Sequence, residues 1–219
     1  MPIKNVEIPS ITVLDALAAS AAAHRINNGY TRNPYYTGVV SDNDSISVKK
    51  SNRELMLDYL SDKTHILDED YELAKKIKFY FDKKIFKILD DSIMDNYTQS
   101  VMKILSKKGI IMADVSILAS VPESYFKGLE RDRISDIIES ACNEMLAPLK
   151  DRVTVSIEIV KCIFSKKWFT HFVTGITTDN KVVFFASKNP IDVGIHMTIT
   201  GTVKKFQNNQ TTLNRVVIK

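Results

Sequence analysis

Side chains able to do covalent or metal chemistry are few in this sequence and scattered along it. Glu158 and Lys161 approach the acid and lysine pairing of a metal-dependent nuclease, but a spacing of three puts them on opposite faces of a regular strand. Asp68 with Asp70, or Asp90 with Asp91, would bind a cation if a third carboxylate joined them in space; paired acids at helix ends are the commoner arrangement. His24, His65, His171 and His196 make no metal-ligand spacing with one another or with a cysteine. No Walker phosphate loop, dinucleotide fingerprint or Gly-x-Ser-x-Gly elbow occurs, and seven glycines leave little material for a phosphate cradle. The expectation is a protein that is not an enzyme and uses no cofactor and no metal, with a metal-dependent nucleic-acid enzyme as the lesser alternative.

What remains is charge. From Lys150 to Lys219 eleven Lys and Arg face four Asp and Glu, a net of +7, whereas the preceding residues hold 19 basic and 22 acidic side chains, a net of −3. A whole-chain charge of +4 thus hides two parts of opposite sign, the usual electrostatic footprint of a small nucleic-acid-binding module. A second basic run, Lys75, Lys76, Lys78, Lys83, Lys84 and Lys87, interleaves with Phe79, Tyr80 and Phe86. It lies in the acidic part and reads better as a solvated helix face over buried aromatics. Tyr30, Tyr35 and Tyr36 stand among basic residues in a connecting loop, where packing against the body is the favoured reading over a functional loop.

The elements that must position these charges change period near residue 150. Before it the pattern is helical: Ser10–Asn27, capped by Ser10 or Thr12 and stopped at Asn28-Gly29; Ser51–Leu60; Asp68–Leu89, with Leu73, Ile77, Phe81, Ile85 and Leu89 as its core stripe; Ser92–Lys107; and Glu123–Leu146, with Ile134, Ile137, Ile138, Ala141 and Met145 on one face. A short hairpin is expected around Gly38–Val40 and Ile46–Val48, and Ile110–Ala119 suits either a helix or a buried strand. After it, Val153, Val155, Ile157 and Ile159 alternate with Thr154, Ser156, Glu158 and Val160, followed by strands over Trp168–Thr178, Lys181–Ser187, Ile195–Phe206 and Thr211–Ile218. The fold class expected is α+β: a mainly helical domain over 1–150, then a small five-stranded antiparallel β-barrel over 151–219, because closure removes the edges of so short a sheet. Cys142 and Cys162 have no nearby partner and read as buried thiols in a reducing, cytoplasmic setting. No run approaches the roughly 18 apolar residues of a membrane span, and no signal segment opens the chain.

The run Val182-Val183-Phe184-Phe185-Ala186-Ser187-Lys188, then Gly194, then Thr198-Ile199-Thr200-Gly201-Thr202-Val203-Lys204-Lys205-Phe206 and Thr212-Leu213-Asn214-Arg215-Val216 resembles the short OB-fold-type barrel tails of several phage DNA-metabolism proteins. The resemblance covers roughly the last 65 residues. The Ala119-Ser120-Val121-Pro122-Glu123-Ser124-Tyr125 stretch is similar to helical regions of uncharacterised phage proteins. Where OB folds often place a helix between strands three and four, Lys188–Gly194 is too short for more than one turn.

The resemblance implies a binding face on strands two and three, flanked by the one–two and four–five loops. Its residues would be Lys166, Lys167, Trp168, Phe172 and Phe184, with Lys204, Lys205, Phe206 and Arg215 near the second loop. Lysines there would neutralise phosphates and aromatics would stack on bases. The reading that follows is a replication-type accessory protein of phage origin, in the host cytoplasm. Its barrel contacts single-stranded DNA or RNA, and its helical part docks on a protein partner or on another copy in a homo-oligomer. The alternative is an assembly subunit whose barrel binds a protein; no membrane partner is expected.

Overall fold

A strand, β1 (Glu7–Thr12), leads into α1 (Val13–Asn27) because Thr12 stays extended and its hydroxyl accepts the N–H of Asp15 at 3.1 Å. Asn28 and Gly29 end the helix in positive-φ conformations, 49° and 127°, with the Gly29 N–H donating to the His24 carbonyl. The computed structural model describes residues 7–40, 45–88 and 95–219, and the chain divides into two compact units, 1–128 and 129–219.

In the first unit every residue from Ala16 to Ala23 is completely buried. So many alanines let neighbouring helices approach α1 from all sides, and the one hydroxyl among them, Ser20, donates to the Leu118 carbonyl at 2.6 Å. Packed around it are α2 (Asn52–Ser61), α3 (Asp68–Ile88) and the single turn α5 (Val115–Leu118), with α4 (Asn96–Leu105) joining the same core against α3 and α5. Ser51 opens α2 with a reciprocal capping box, and its backbone N–H holds the Glu54 carboxyl below its ordinary pKa. Ala74, Ile77 and Phe81 of α3 are buried, with Leu73 packed beside them; Leu89 of the expected stripe lies outside the described residues. The expected hairpin is β2 (Tyr35–Val40) against β3 (Ser45–Lys49). The ambiguous apolar stretch divides between a strand, β4 (Gly109–Ile111), antiparallel to β1, and α5.

The second unit takes up α6 (Val121–Ser140) from residue 129 onward. The helix was expected to reach Leu146 but stops at Ser140. There the Asn180 side chain donates to the Ser140 carbonyl and the Asn180 carbonyl accepts the Cys142 N–H at 2.7 Å. The freed segment Met145–Ala147 packs on the barrel core instead. Both cysteines, expected to be buried, are only partly so: Cys142 follows the end of α6, and Cys162 faces the barrel core beyond a bulge.

The barrel closes in the order β5 (Arg152–Ser165), β6 (Thr170–Thr177), β7 (Val182–Ser187), β9 (Gln210–Ile218), β8 (His196–Gln207) and back to β5. This arrangement is consistent with an OB-like barrel. The sheet was expected to be wholly antiparallel and is mixed, since β7 and β9 run parallel. A closed ring with an odd number of strands cannot alternate direction all the way round, so one neighbouring pair must be parallel. β8 supplies the crossover that such a pair requires. Ile157, Ile159, Val173, Val183, Phe185, Ile199, Val203 and Leu213 fill the interior. As the loop length implied, no helix lies between β7 and β8, and Ile191 from that link packs on the core.

The helical unit also contains a buried amide pair. Asn27 Nδ2 donates to Asn52 Oδ1 (2.8 Å), which also accepts the Thr31 N–H (2.8 Å), while Asn52 Nδ2 donates to the Gly29 carbonyl (3.1 Å). Asn52→Ala removes all three of these hydrogen bonds: Asn27 Nδ2 keeps only the Lys50 carbonyl, at 3.1 Å, and the part-buried Thr31 N–H loses its side-chain acceptor. Each bond lost without replacement costs roughly 1–3 kcal/mol where the group stays shielded from water. Chemical denaturation should show a loss of at least ~2 kcal/mol, and a loss below ~1 kcal/mol would mean the amide pair is not the clamp described.

Candidate nucleic-acid interface

Register across the barrel wall lines up one outward-facing row: Lys161 on β5 pairs with Thr174 on β6, Thr174 with Phe184 on β7, Phe184 with Thr212 on β9, and Thr212 with Lys205 on β8. Paired positions share a face of a sheet, so this row crosses all five strands with a lysine at each end. One step along β6, Phe172 lies diagonal to Phe184, and the two rings stack with centroids 5.6 Å apart and planes 23° from parallel. Between them Thr174 is only 5% exposed. Phe172 pairs with Ile163 of β5, which extends the apolar surface to a residue that is half exposed. A shallow cleft of about 170 Å3 adjoins Phe184, lined by Lys205, Gln207, Asn208, Gln210 and Thr212.

Lys161 reaches this row only through an irregularity. Ile159 pairs with Gly175 and Lys161 with Thr174, so Val160 is an extra residue in β5, a β-bulge. The same bulge overturns the expectation that Glu158 and Lys161 face opposite ways: Glu158 pairs with Ile176, two residues from Thr174, so both point outward. Among the described residues no three His, Cys, Asp or Glu side chains lie close enough to hold a metal ion. Asp70 is engaged by Arg25, whose Nε and Nη2 donate to its two oxygens at 3.1 and 2.8 Å, and Asp90 and Asp91 lie outside the described residues.

The residues implied by the resemblance fall into three places. Phe172, Phe184 and Lys205 belong to the outer face. Lys166, Lys167 and Trp168 form the turn between β5 and β6, all exposed, with the Lys167 ammonium 5.3 Å from the Trp168 ring centroid. Lys204 and Arg215 line a separate cleft between β8 and β9. Phe206 pairs with the fully buried Thr211 and so faces away from Lys205, toward the barrel side of β8. Sequence reasoning missed Lys161, whose phase depends on the bulge, and Phe169. Phe169 directly follows Trp168, is 82% exposed and sits at φ 45°, a conformation that a bulky residue seldom adopts. Its ring meets Phe164 edge-on at 6.4 Å, and Phe164 covers His171 at 5.0 Å.

The opposite end of the β6–β7 hairpin is tied down. Thr177 Oγ1 donates to Asp179 and holds its carboxyl below the usual carboxylate range, and Lys181 pairs with Glu144 at 3.3 Å. In the helical unit the basic run of α3 is largely occupied, as a solvated face should be, but Phe79, expected among the buried aromatics, is 60% exposed on that same face. Lys75 pairs with Glu72 and Lys78 with Asp82, both at 2.7 Å, while Lys83 and Lys84 lie over the rings of Phe79 and Tyr80 at 4.4 Å. Among the described residues no helix is long and apolar enough to cross a membrane.

Compared with known proteins, the chain matches no protein-family model, no curated protein and no solved structure.

Because Lys166 and Lys167 occupy an exposed turn and contribute nothing to the barrel interior, Lys166→Glu with Lys167→Glu should leave the melting temperature within about 2 °C of wild type, as surface changes usually do. Affinity for single-stranded oligonucleotides should fall at least tenfold through reversed charge. Unchanged affinity in a folded double variant would remove this turn from the interface.

Proposed function

We propose that this chain is a non-catalytic nucleic-acid-binding protein that holds single-stranded DNA or RNA across the outer face of β6 and β7. The observation that carries this reading is the stacked Phe172–Phe184 pair in a row that ends in Lys161 and Lys205. Stacked rings on an outer wall offer a platform to a base, whatever its identity, because every base has a π-face. Cations at either end of the row can neutralise phosphates of a strand laid across it. The local charge of +7 over residues 150–219 supports the same reading through long-range attraction.

The resemblance to barrel tails of phage DNA-metabolism proteins adds a setting, that of a replication accessory in a host cytoplasm. There the helical unit docks on a protein partner, and tethering makes the barrel's contact with nucleic acid effectively intramolecular. One observation favours a second reading, a barrel that binds protein: Ile163, Phe164, Trp168 and Phe169 put four large apolar side chains, each about half exposed or more, at one end of the β5–β6 hairpin. The two readings separate by salt, since lysine-phosphate contacts weaken steeply with ionic strength and an apolar interface does not.

Phe172→Ala with Phe184→Ala tests the platform, because both rings lie outside the buried cluster of the barrel and the variant should fold. Stacking is worth roughly 1–3 kcal/mol per base, so affinity for oligo-dT should drop about tenfold to several hundredfold while the salt dependence is kept. A folded variant that binds as tightly as wild type would rule the platform out.

A further inference from the structure

A second constellation stands apart from the stacked rings. Lys150, Lys204 and Arg215 line one cleft of about 320 Å3 together with Thr202, Val203 and Asn214, and no acidic side chain lines it. Among the described residues none of these three cations makes a side-chain hydrogen bond or ion pair, whereas most lysines and arginines of the helical unit are paired. Three like charges facing one space without counter-ions repel one another, and an anion between them relieves that repulsion.

The backbone brings each of the three there by a separate irregularity. Thr200 pairs with Val217 and Thr202 with Asn214, so Arg215 and Val216 together stand opposite Gly201, with Arg215 at φ 52°. The bulge crowds Gly201 so closely that a Cβ there would lie 3.0 Å from Val216 Cγ2 and 3.1 Å from Leu213 Cβ. Val203 pairs with Leu213 and Lys205 with Thr212, which makes Lys204 the extra residue of a second bulge. Lys150 has φ 75°, and its N–H donates to the Val203 carbonyl at 2.9 Å. Non-glycine residues rarely adopt positive φ, and bulges re-aim side chains. At three positions the regular backbone gives way, and each time the side chain delivered to the cleft is a cation.

We infer that this cleft is a binding site for phosphate oxygens, with Lys150, Lys204 and Arg215 as the charged donors and Thr202 and Asn214 as neutral polar groups in the wall. A guanidinium and two ammonium groups suit the tetrahedral oxygens of a phosphate, the guanidinium in particular by bidentate contact. The volume, at the low end of ligand pockets, suits one or two phosphate groups. They can come from the backbone of a bound strand or from a free pyrophosphate-type anion. The site is formed by β8, β9 and Lys150, two residues before β5, and the inference does not depend on the Phe172–Phe184 platform.

The test is the full-length double variant Lys150→Asn, Arg215→Asn. Asparagine tolerates positive φ better than most residues, so the variant should melt at or above the wild-type temperature, and a binding loss cannot be ascribed to unfolding. Sodium pyrophosphate is titrated into both proteins by calorimetry, and labelled dT20 by anisotropy across a salt series. If the source is a free anion, wild type binds pyrophosphate saturably and the variant binds it at least tenfold more weakly. If the source is a strand backbone, the variant's dependence of log K on log salt is shallower by about 1.4, roughly 0.7 for each phosphate contact removed. The inference is overturned if pyrophosphate binding is absent or unchanged in the variant and the salt slope for dT20 is also unchanged. Should dT20 bind neither protein, the single-strand reading of the barrel fails, and the pyrophosphate arm alone decides the cleft.

Discussion

Closure of a ring with an odd number of strands is the constraint on which the second unit of this protein depends. Because five strands cannot alternate direction around a closed barrel, β7 and β9 are forced into parallel pairing, with β8 as the connection between them. That pairing sets Phe184 beside Thr212 and, through it, beside Lys205. An open sheet of the same strands would leave β7 as an edge, with Phe184 far from any residue of β8 or β9. The lysine-ended row and its central aromatic pair are thus consequences of closure, and closure in turn rests on the interior formed by Ile157, Ile159, Val173, Phe185, Ile199 and Leu213.

Within that closed wall, departures from regular pairing decide which charges face which surface. The extra residue at Val160 turns Lys161 outward, and the extra residues near Arg215 and at Lys204 serve the β8–β9 cleft. A bulge costs a ladder hydrogen bond and local strain, and it shifts the side-chain phase by one. In this barrel the shift is used three times at cations. The turn between β8 and β9 is regular by comparison, with Asn208 and Asn209 both near φ 55° as a two-residue hairpin loop requires.

These features also mark where the sequence could be read and where it could not. Alternation from Val153 to Ile159 has period two and announces a strand with a buried face, and the polar Gln207–Gln210 loop announces a hairpin; both are found. The phase beyond Ile159 was illegible, because a bulge leaves no compositional trace and pairing partners decide it. All-antiparallel pairing was likewise a reasonable default for short strands until the ring closed. In the helical unit, Thr12, Asn28-Gly29 and Ser51 punctuate α1 and α2 through local capping chemistry, which reads directly from residue types. The end of α6 did not, since Asn180, 40 residues away, takes the last carbonyl. Large side chains fill small barrels, so residue type alone favours the interior for any single barrel aromatic, Phe172 and Phe184 included, and only the register shows that Phe185 fills the core while its neighbour Phe184 faces out.

The most direct measurement is anisotropy of labelled single-stranded DNA and RNA titrated with the intact protein at low and high salt, with the fluorescence of Trp168 followed in the same samples. Trp168, the only tryptophan, is 64% exposed in the turn that borders the outer face. The account predicts saturable binding that weakens steeply with salt and a concurrent change in Trp168 emission. An absence of binding at low salt would contradict it and leave the basic barrel wall to a protein partner.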